Sequence, residues 1–399
     1  MASAANLGDF LAGLSFLSLL IVGYSYFGYP LLVRLFFRSR TAYRDRRNDL
    51  PDDAPLPFLS VLVAARNEAE VIRARVENLL AQDYPKDRLE IWVVSDASDD
   101  ETDAIVSAIA AEDPRVRLVR HDSRRGKTAG INRLGKSATG EIIVQTDANV
   151  LFAENALVEL AKTFRQSDVG VVLGEVVFSN EDDPEVAHGE GLYWRFESWT
   201  KRLEANRGVL CVANGGIYAL RASLWRELPP HISGDAAEPL LAARDGYRTA
   251  IARKAVAYER AAATLKEEFQ RKVRIIAQQV ACALWIGVWR LPFRTAWAYV
   301  SHKLLRYLAL PLVLVAAGLG LAAAALGQWL GALAALLGVA PLVAGAAAFL
   351  PIGGPVGRVL QICRYWSTVN VAAMVGLARG MMGRAEPFWE SPASTREEG

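Results

Sequence analysis

Two long apolar runs, one near each end of the 399-residue chain, constrain this sequence most. From Phe10 to Phe37 almost every residue is apolar or aromatic. At about 1.5 Å rise per residue such a helix crosses a hydrocarbon core of roughly 30 Å. No Lys or Arg precedes the run and it exceeds a signal-peptide core, so an uncleaved anchor over 1–40 is expected. Arg34, Arg38, Arg40, Arg44, Arg46 and Arg47 lie at its end or just after it. The positive-inside bias puts that end in the cytoplasm. The second block, 303–350, reads as a hairpin of spans over 304–325 and 329–350, with Gln328 and Trp329 at the turn. The remainder, 351–399, is expected to hold an interfacial helix over 359–381 and a cytoplasmic tail; a third crossing is the alternative. A multi-pass protein of the cell inner membrane follows.

Between the blocks the composition is that of a soluble domain, 55–260. Cys211, Cys282 and Cys363 form no CxxC pair, and the four histidines show no metal-ligand spacing. A disulfide framework and a structural zinc site are not indicated. The formal net charge of only +2 says little about partners, and no nucleic-acid partner is expected. Strand-like runs at 58–64, 91–94, 116–119 and 141–145 alternate with helical stretches at 68–82, 102–112 and 127–137. That alternation predicts an α/β domain with a mainly parallel sheet. Ligands of such sheets bind beyond the carboxyl ends of the strands.

Polar clusters stand at those ends: Arg66-Asn67-Glu68, then Asp96 to Thr102, then Asp147-Ala148-Asn149. Asp, Ser and Thr favour helix N-caps, which accounts for Ser98 and Thr102. Three acidic clusters converging on one sheet edge call for a cation, and a divalent metal on phosphates supplies one. Arg124-Arg125-Gly126-Lys127 opens a helix as a diphosphate contact would. There is no GxxxxGK[ST] and no GxGxxG, so neither a P-loop nor a dinucleotide fold is indicated.

Over about 55–280 these motifs resemble the family 2 inverting glycosyltransferases of GT-A fold, in the membrane-bound branch of cellulose, chitin and hyaluronan synthases and their non-processive relatives. The resemblance implies a nucleotide-diphospho-sugar transferase domain with N- and C-terminal transmembrane helices. It implies donor contacts from Glu68, Asp96 (to the uracil ring), Lys127, Asp147 and Arg274. Asp147 and Asn149 stand at the metal-binding DxD motif, with Mg²⁺ or Mn²⁺ the implied cofactor. Gly215 and Gly216 match the stretch between donor and acceptor. Asp235 matches the catalytic base, with Gly234 in place of a first acid. Arg274 survives from QxxRW, where Ile275 replaces the Trp of processive members.

A UDP-sugar donor, a glycan or lipid-linked hydroxyl acceptor and non-processive transfer are therefore expected. Asp235 would take the acceptor proton as the sugar–phosphate bond breaks. For Asp235 the plain alternative is the N-cap of a helix 236–244. The segment 261–302 reads as amphipathic helices on anionic membrane lipid, with a plain packing helix against the catalytic domain over 269–289 as the alternative. Other readings are a polyprenyl-phosphate sugar transferase, a processive synthase, and an inactive subunit of a polysaccharide assembly complex.

Overall fold

The computed structural model describes residues 2–36, 51, 53–178, 190–260, 264–348, 350, 352 and 354–388. The basic residues Arg38 to Arg47 lie outside them. Helix α1 (Ala2–Gly23) passes through a π-helical turn, Tyr24–Gly28, into α2 (Tyr29–Phe36). Asn6–Phe36 is long and apolar enough to cross a membrane, and so is a second helix, Trp329–Ala347.

The middle of the chain is one eight-stranded sheet. Its strands are β1 (Leu59–Ala65), β2 (Leu89–Ser95), β3 (Val116–Arg120), β4 (Ile142–Asp147), β5 (Leu151–Phe152), β6 (Val169–Phe178), β7 (Tyr218–Arg221) and β8 (Arg248–Glu259). Their order is β3-β2-β1-β4-β7-β6-β8-β5. Every residue of β1 is buried, because helices cover both faces of the sheet. These helices include α3 (Ala69–Leu80), α4 (Thr102–Glu112), α5 (Lys127–Gly135), α6 (Ala156–Thr163), α7 (Glu190–Arg207) and α8 (Gly234–Arg244).

The expected mainly parallel sheet holds for six of the eight strands, since β6 and β8 pair in parallel and run the same way as β1 to β4. The first four strands are parallel, but β7 runs antiparallel to both β4 and β6, and β5 antiparallel to β8. This reversal matters for the site. The start of β7 lies beside the end of β4, so Gly215 and Gly216, just before β7, come next to Asp147.

Helix α9 (Leu265–Ile286) begins with Thr264 accepting from the Glu267 amide at 3.2 Å, half of a capping box. Beyond α10 (Phe293–Tyr299) a second π-helical turn, Val300–Leu304, leads to α11 (Ala309–Ala325), α12 (Trp329–Ala347) and α13 (Gly354–Met381). The span expected over 304–325 is broken. Phe293–Tyr307 and Ala309–Ala325 meet at 61° and count as one crossing only if that bent pair is a single span. Pro311 explains the break, since it has no N–H for the Tyr307 carbonyl one turn earlier. Helix α13 docks on α9 through Gly376 and Gly380, where a Cβ would meet the Val273 and Ala277 carbonyls at 2.8 and 2.7 Å. Leu284, Trp285, Trp289 and Phe293 are exposed at the far end of α9 and beyond.

Candidate functional site

The loops after β1 and β2 are held together in strained backbone. Asn67 and Ala97 both have left-handed φ, 52° and 56°. Such conformations cost side-chain-bearing residues roughly 1–2 kcal/mol. The Asn67 amide donates to Ser98 Oγ (3.1 Å), and the Asp99 amide donates to Asn67 Oδ1 (3.0 Å). Arg66 donates to the Asp96 and Ala97 carbonyls at 2.9 and 2.8 Å. Ser98 and Thr102 do not cap α4, which corrects the capping expectation. Thr102 Oγ1 accepts from the Glu68 amide at 2.9 Å, and Asp100 accepts from Ala69 at the start of α3 at 3.0 Å. The cluster therefore shapes the neighbouring loop. Glu68 is buried and lines the cavity described below.

Asp96 is fully buried, and the structure does not bring it together with Asp147 and Asp235. Its Oδ1 accepts from the Arg125 amide (2.8 Å) and lies 3.0 Å from His121 Nδ1; its Oδ2 accepts from the Gly126 amide (2.9 Å). A carboxylate accepting two consecutive amides fixes the basic turn in front of α5. The convergence expected of three acidic clusters thus reduces to the carboxylates from β4 and α8, with Asp96 beneath the turn that delivers Lys127.

Lys127 is the first residue of α5 and ion-pairs with Asp147 at the end of β4. Burial works against its charge, but Asp147 and Asp235 outweigh that and hold the ammonium above its ordinary range. Asp235 lies in the first turn of α8. Ser233 occupies the N-cap position, so the N-cap alternative for Asp235 fails. The Asp235 carbonyl accepts from the Ala213 amide at 2.8 Å, tying the helix start to the strand entrance at Gly215. Thr128 and Asn132 of α5 donate to the Ile232 and Leu228 carbonyls at 2.8 and 2.7 Å, fixing Lys127 relative to Asp235.

Gly215 sits where these groups meet. A Cβ there would lie 3.7 Å from Asp147 Oδ2, 3.8 Å from Asp235 Oδ2 and 3.9 Å from Lys127 Nζ. Gly216 stands one residue on, where a Cβ would lie 3.4 Å from Glu259 Oε2. The groups open into a cavity of about 510 Å³, lined also by Asn149 and Arg274. It continues past α9 to Tyr26, Phe27, Arg306 and Trp366 among the apolar helices. At Gly234 the missing first acid has a steric reason: a Cβ would meet the Tyr218 hydroxyl at 2.5 Å.

Several residues of this site escaped sequence reasoning. Arg75 is wholly buried and donates to Thr146 Oγ1 at 2.8 Å; Thr146 in turn donates to the Gly216 carbonyl at 2.7 Å. Burial pushes Arg75 down to about 9. The signal was a charge on the apolar stripe of Ile72, Val76 and Leu79. Glu238, one turn after Asp235, accepts from Gln145 Nε2 at 2.8 Å, and burial pushes it up to about 7. Burial does the same to Glu259 at the end of β8, with Asp147 adding to it.

These two carboxyls set a pH dependence. Each keeps its proton to about pH 7 in the folded chain but ionises near 4.5 when unfolded. The unfolded state therefore sheds protons first, and stability falls as pH rises from about 4.5 to 7, then levels off. Glu238→Gln is expected to raise the apparent melting temperature by a few degrees at pH 8 and by less at pH 5. Thermal unfolding at the two pH values checks this; an equal shift at both would refute it.

The chain returns to this region after α13. Gln278 Nε2 donates to the Glu386 carbonyl at 2.9 Å, Ala385 is buried, and the Arg124 guanidinium lies 4.9 Å from the Phe388 ring centre. Gly126 has φ +92°, and a Cβ there would collide with the Pro387 carbonyl.

Among the described residues no three His, Cys, Asp or Glu side chains group to hold a metal. Asp147 Oδ2 faces Gly215 and Asn149 lines the same cavity. One carboxylate and one amide oxygen fit an Mg²⁺-type ion that takes its other ligands from substrate phosphates and water.

Residues 60–227 match the description Glycosyl transferase family 2. Over 170 residues the chain is 29% identical to a beta-monoglucosyldiacylglycerol synthase of Trichormus variabilis, covering 42% of this chain but only 35% of that one. Over 236 residues it is 26% identical to an N-acetylglucosaminyltransferase of Rhizobium meliloti, covering 55% of each. A mannosyltransferase from Pyrobaculum calidifontis, solved with GDP-Man and Mn²⁺, superposes with a TM-score of 0.69 at 24% identity, over 94% of this chain and 99% of that one. With β1 to β4 and the reversed β7 in place, the chain has a GT-A fold, and its residues 60–227 are similar to the glycosyltransferase family 2 domain.

Proposed function

We propose that this chain is a membrane-anchored inverting glycosyltransferase that moves one sugar from a nucleoside-diphosphate sugar to a hydroxyl of a lipid-borne acceptor. The observation that carries the reading is the meeting of Asp147, Asp235 and Lys127 at Gly215, in a cavity that runs on to the apolar helices. The names of the relatives, one a glucosyldiacylglycerol synthase and one a mannosyltransferase, agree with it.

In this mechanism the acceptor oxygen attacks the anomeric carbon from the face opposite the diphosphate. Asp235 takes the hydroxyl proton, the new C–O bond forms, and the bond from the anomeric carbon to the phosphate oxygen breaks. Lys127 and Arg274 stabilise the charge that develops on the leaving diphosphate. A divalent cation held at Asp147 and Asn149 would supply further positive charge there. Gly215 lets the backbone approach the sugar closely. Asp96 acts from below, by fixing the turn that carries Lys127. Ile275, where processive members have Trp, favours single transfer. The basic residues after the first apolar run favour a cytoplasmic catalytic domain and an inner-membrane location.

The test is nucleotide release by the full chain in neutral detergent with Mn²⁺ or Mg²⁺, offered UDP-Glc, UDP-Gal, UDP-GlcNAc and GDP-Man. One donor is expected to release nucleotide, and faster when diacylglycerol or a membrane lipid extract is added. Release from none of them would favour the inactive assembly subunit instead.

A further inference from the structure

The membrane-side end of the cavity holds a buried ionic cluster that the proposed chemistry does not use. Glu197 of α7 accepts from Lys303 Nζ at 2.5 Å and Arg306 Nη1 at 2.9 Å, and lies 2.9 Å from His302 Nε2. Glu204 accepts from the Tyr29 hydroxyl at 2.5 Å and lies 2.7 Å from His302 Nδ1. Lys201, one turn along α7 from Glu197, donates to Asn214 Oδ1 and to the Ala213 carbonyl, beside Gly215. Lys303 and Arg306 share Glu197, while Lys201 lies in the field of Glu197, Asp235 and Glu204. Buried charges are ordinarily paired, so the donors left over in such a cluster are informative. Burial and the neighbouring Lys303 push Lys201 down to about 8.

Arg306 carries the sign of a missing ligand. Its side chain is 6% exposed and lines the cavity. The guanidinium is fixed over the rings of Tyr26 (5.3 Å) and Phe196 (5.1 Å). Nη1 is used on Glu197, yet the buried Nη2 has no acceptor among the described residues. An unmet donor on a buried cation is costly, and a planar guanidinium fork suits a phosphate. The surrounding wall is aromatic and apolar, with Phe27, Tyr365, Trp366 and Ile362, and it reaches the π-helical turn of the first apolar helix.

We propose that this lobe is an anion subsite, built by Arg306, Lys303 and Lys201, that holds the phosphate ester of a lipid acceptor while the acceptor hydroxyl reaches Asp235. The inference rests on the transferase reading and specifies its acceptor: a lipid whose headgroup bears both a phosphate and a free hydroxyl. An uncharged lipid leaves Arg306 unmet, and a free phosphate leaves the apolar wall unused.

Calorimetric titration of the full chain in neutral detergent separates these cases. The probes are dioctanoyl phosphatidic acid, dioctanoylglycerol and inorganic phosphate. Phosphatidic acid is expected to bind at least about tenfold more tightly than either of the others, as one charge-assisted pair implies. Arg306→Gln and Lys201→Gln are each expected to remove about tenfold of that affinity. Dioctanoylglycerol binding should hardly change. Lys201→Gln keeps the test open if Arg306→Gln fails to fold, because among the described residues Lys201 hydrogen-bonds Asn214 and Ala213 alone. Equal affinity for phosphatidic acid and dioctanoylglycerol, or variants that bind phosphatidic acid as the parent does, would overturn the subsite. Inorganic phosphate binding as tightly, with the same losses, would overturn its assignment to a lipid. Nucleotide release is read in parallel. If the parent binds phosphatidic acid as expected but releases nucleotide from no donor, the transferase reading falls and the subsite stands.

Discussion

Asp235→Asn is expected to lower turnover by about 10²–10⁴-fold, the range over which a positioned general base acts. The amide is isosteric, and the residue's structural bond is made by its backbone carbonyl to Ala213. The start of α8 should therefore keep its place. Donor affinity should change little, because Lys127 and Asp147 remain. The measurement is steady-state turnover beside equilibrium binding of the donor's nucleoside diphosphate. A variant with parental turnover would remove Asp235 from the chemistry and point to an acceptor that arrives already ionised, as a phosphate does.

Asp147→Asn should be nearly as damaging and differ in kind. Turnover is expected to fall by roughly 10²–10³-fold through lost stabilisation of the leaving group. The concentration of Mn²⁺ needed for half-maximal activity should rise as well, since a neutral amide replaces the one carboxylate that faces Gly215 from β4. Lys127, which Asp147 holds above its ordinary range, loses its partner in the same substitution. A metal titration of parent and variant checks this. An unchanged Mn²⁺ midpoint would mean that Asp147 serves Lys127 alone.

The parts of the site that sequence made legible are those fixed by local rules. Lys127 opens a helix after a glycine, and Asp147 ends a strand of apolar residues. Gly215 and Gly216 precede β7, and each can be placed from neighbours a few residues away. What remained hidden depends on partners far along the chain. Asp96 resembles a ligand contact in sequence, and its second role, accepting from amides about thirty residues on, was not visible there. Glu238 reads as an ordinary helix residue until Gln145 and Tyr218 close over it from two strands. The same Tyr218 hydroxyl excludes a side chain at Gly234, which spacing alone cannot reveal. The mainly parallel sheet was legible, but the reversed β7 was not, because it is only four residues long and its direction is set by the strands on either side rather than by its own pattern.

The return of Ala385–Phe388 to the turn at Gly126 bears on how this protein is handled. An affinity tag fused beyond Phe388 would hang from the chain that packs on the turn at Gly126 and lines the cavity with Pro387, where it would crowd the nucleotide. A tag ahead of α1 sits by the hairpin turn at Gln328, which Gly8 approaches closely. Kinetic constants are best compared between preparations tagged at that end.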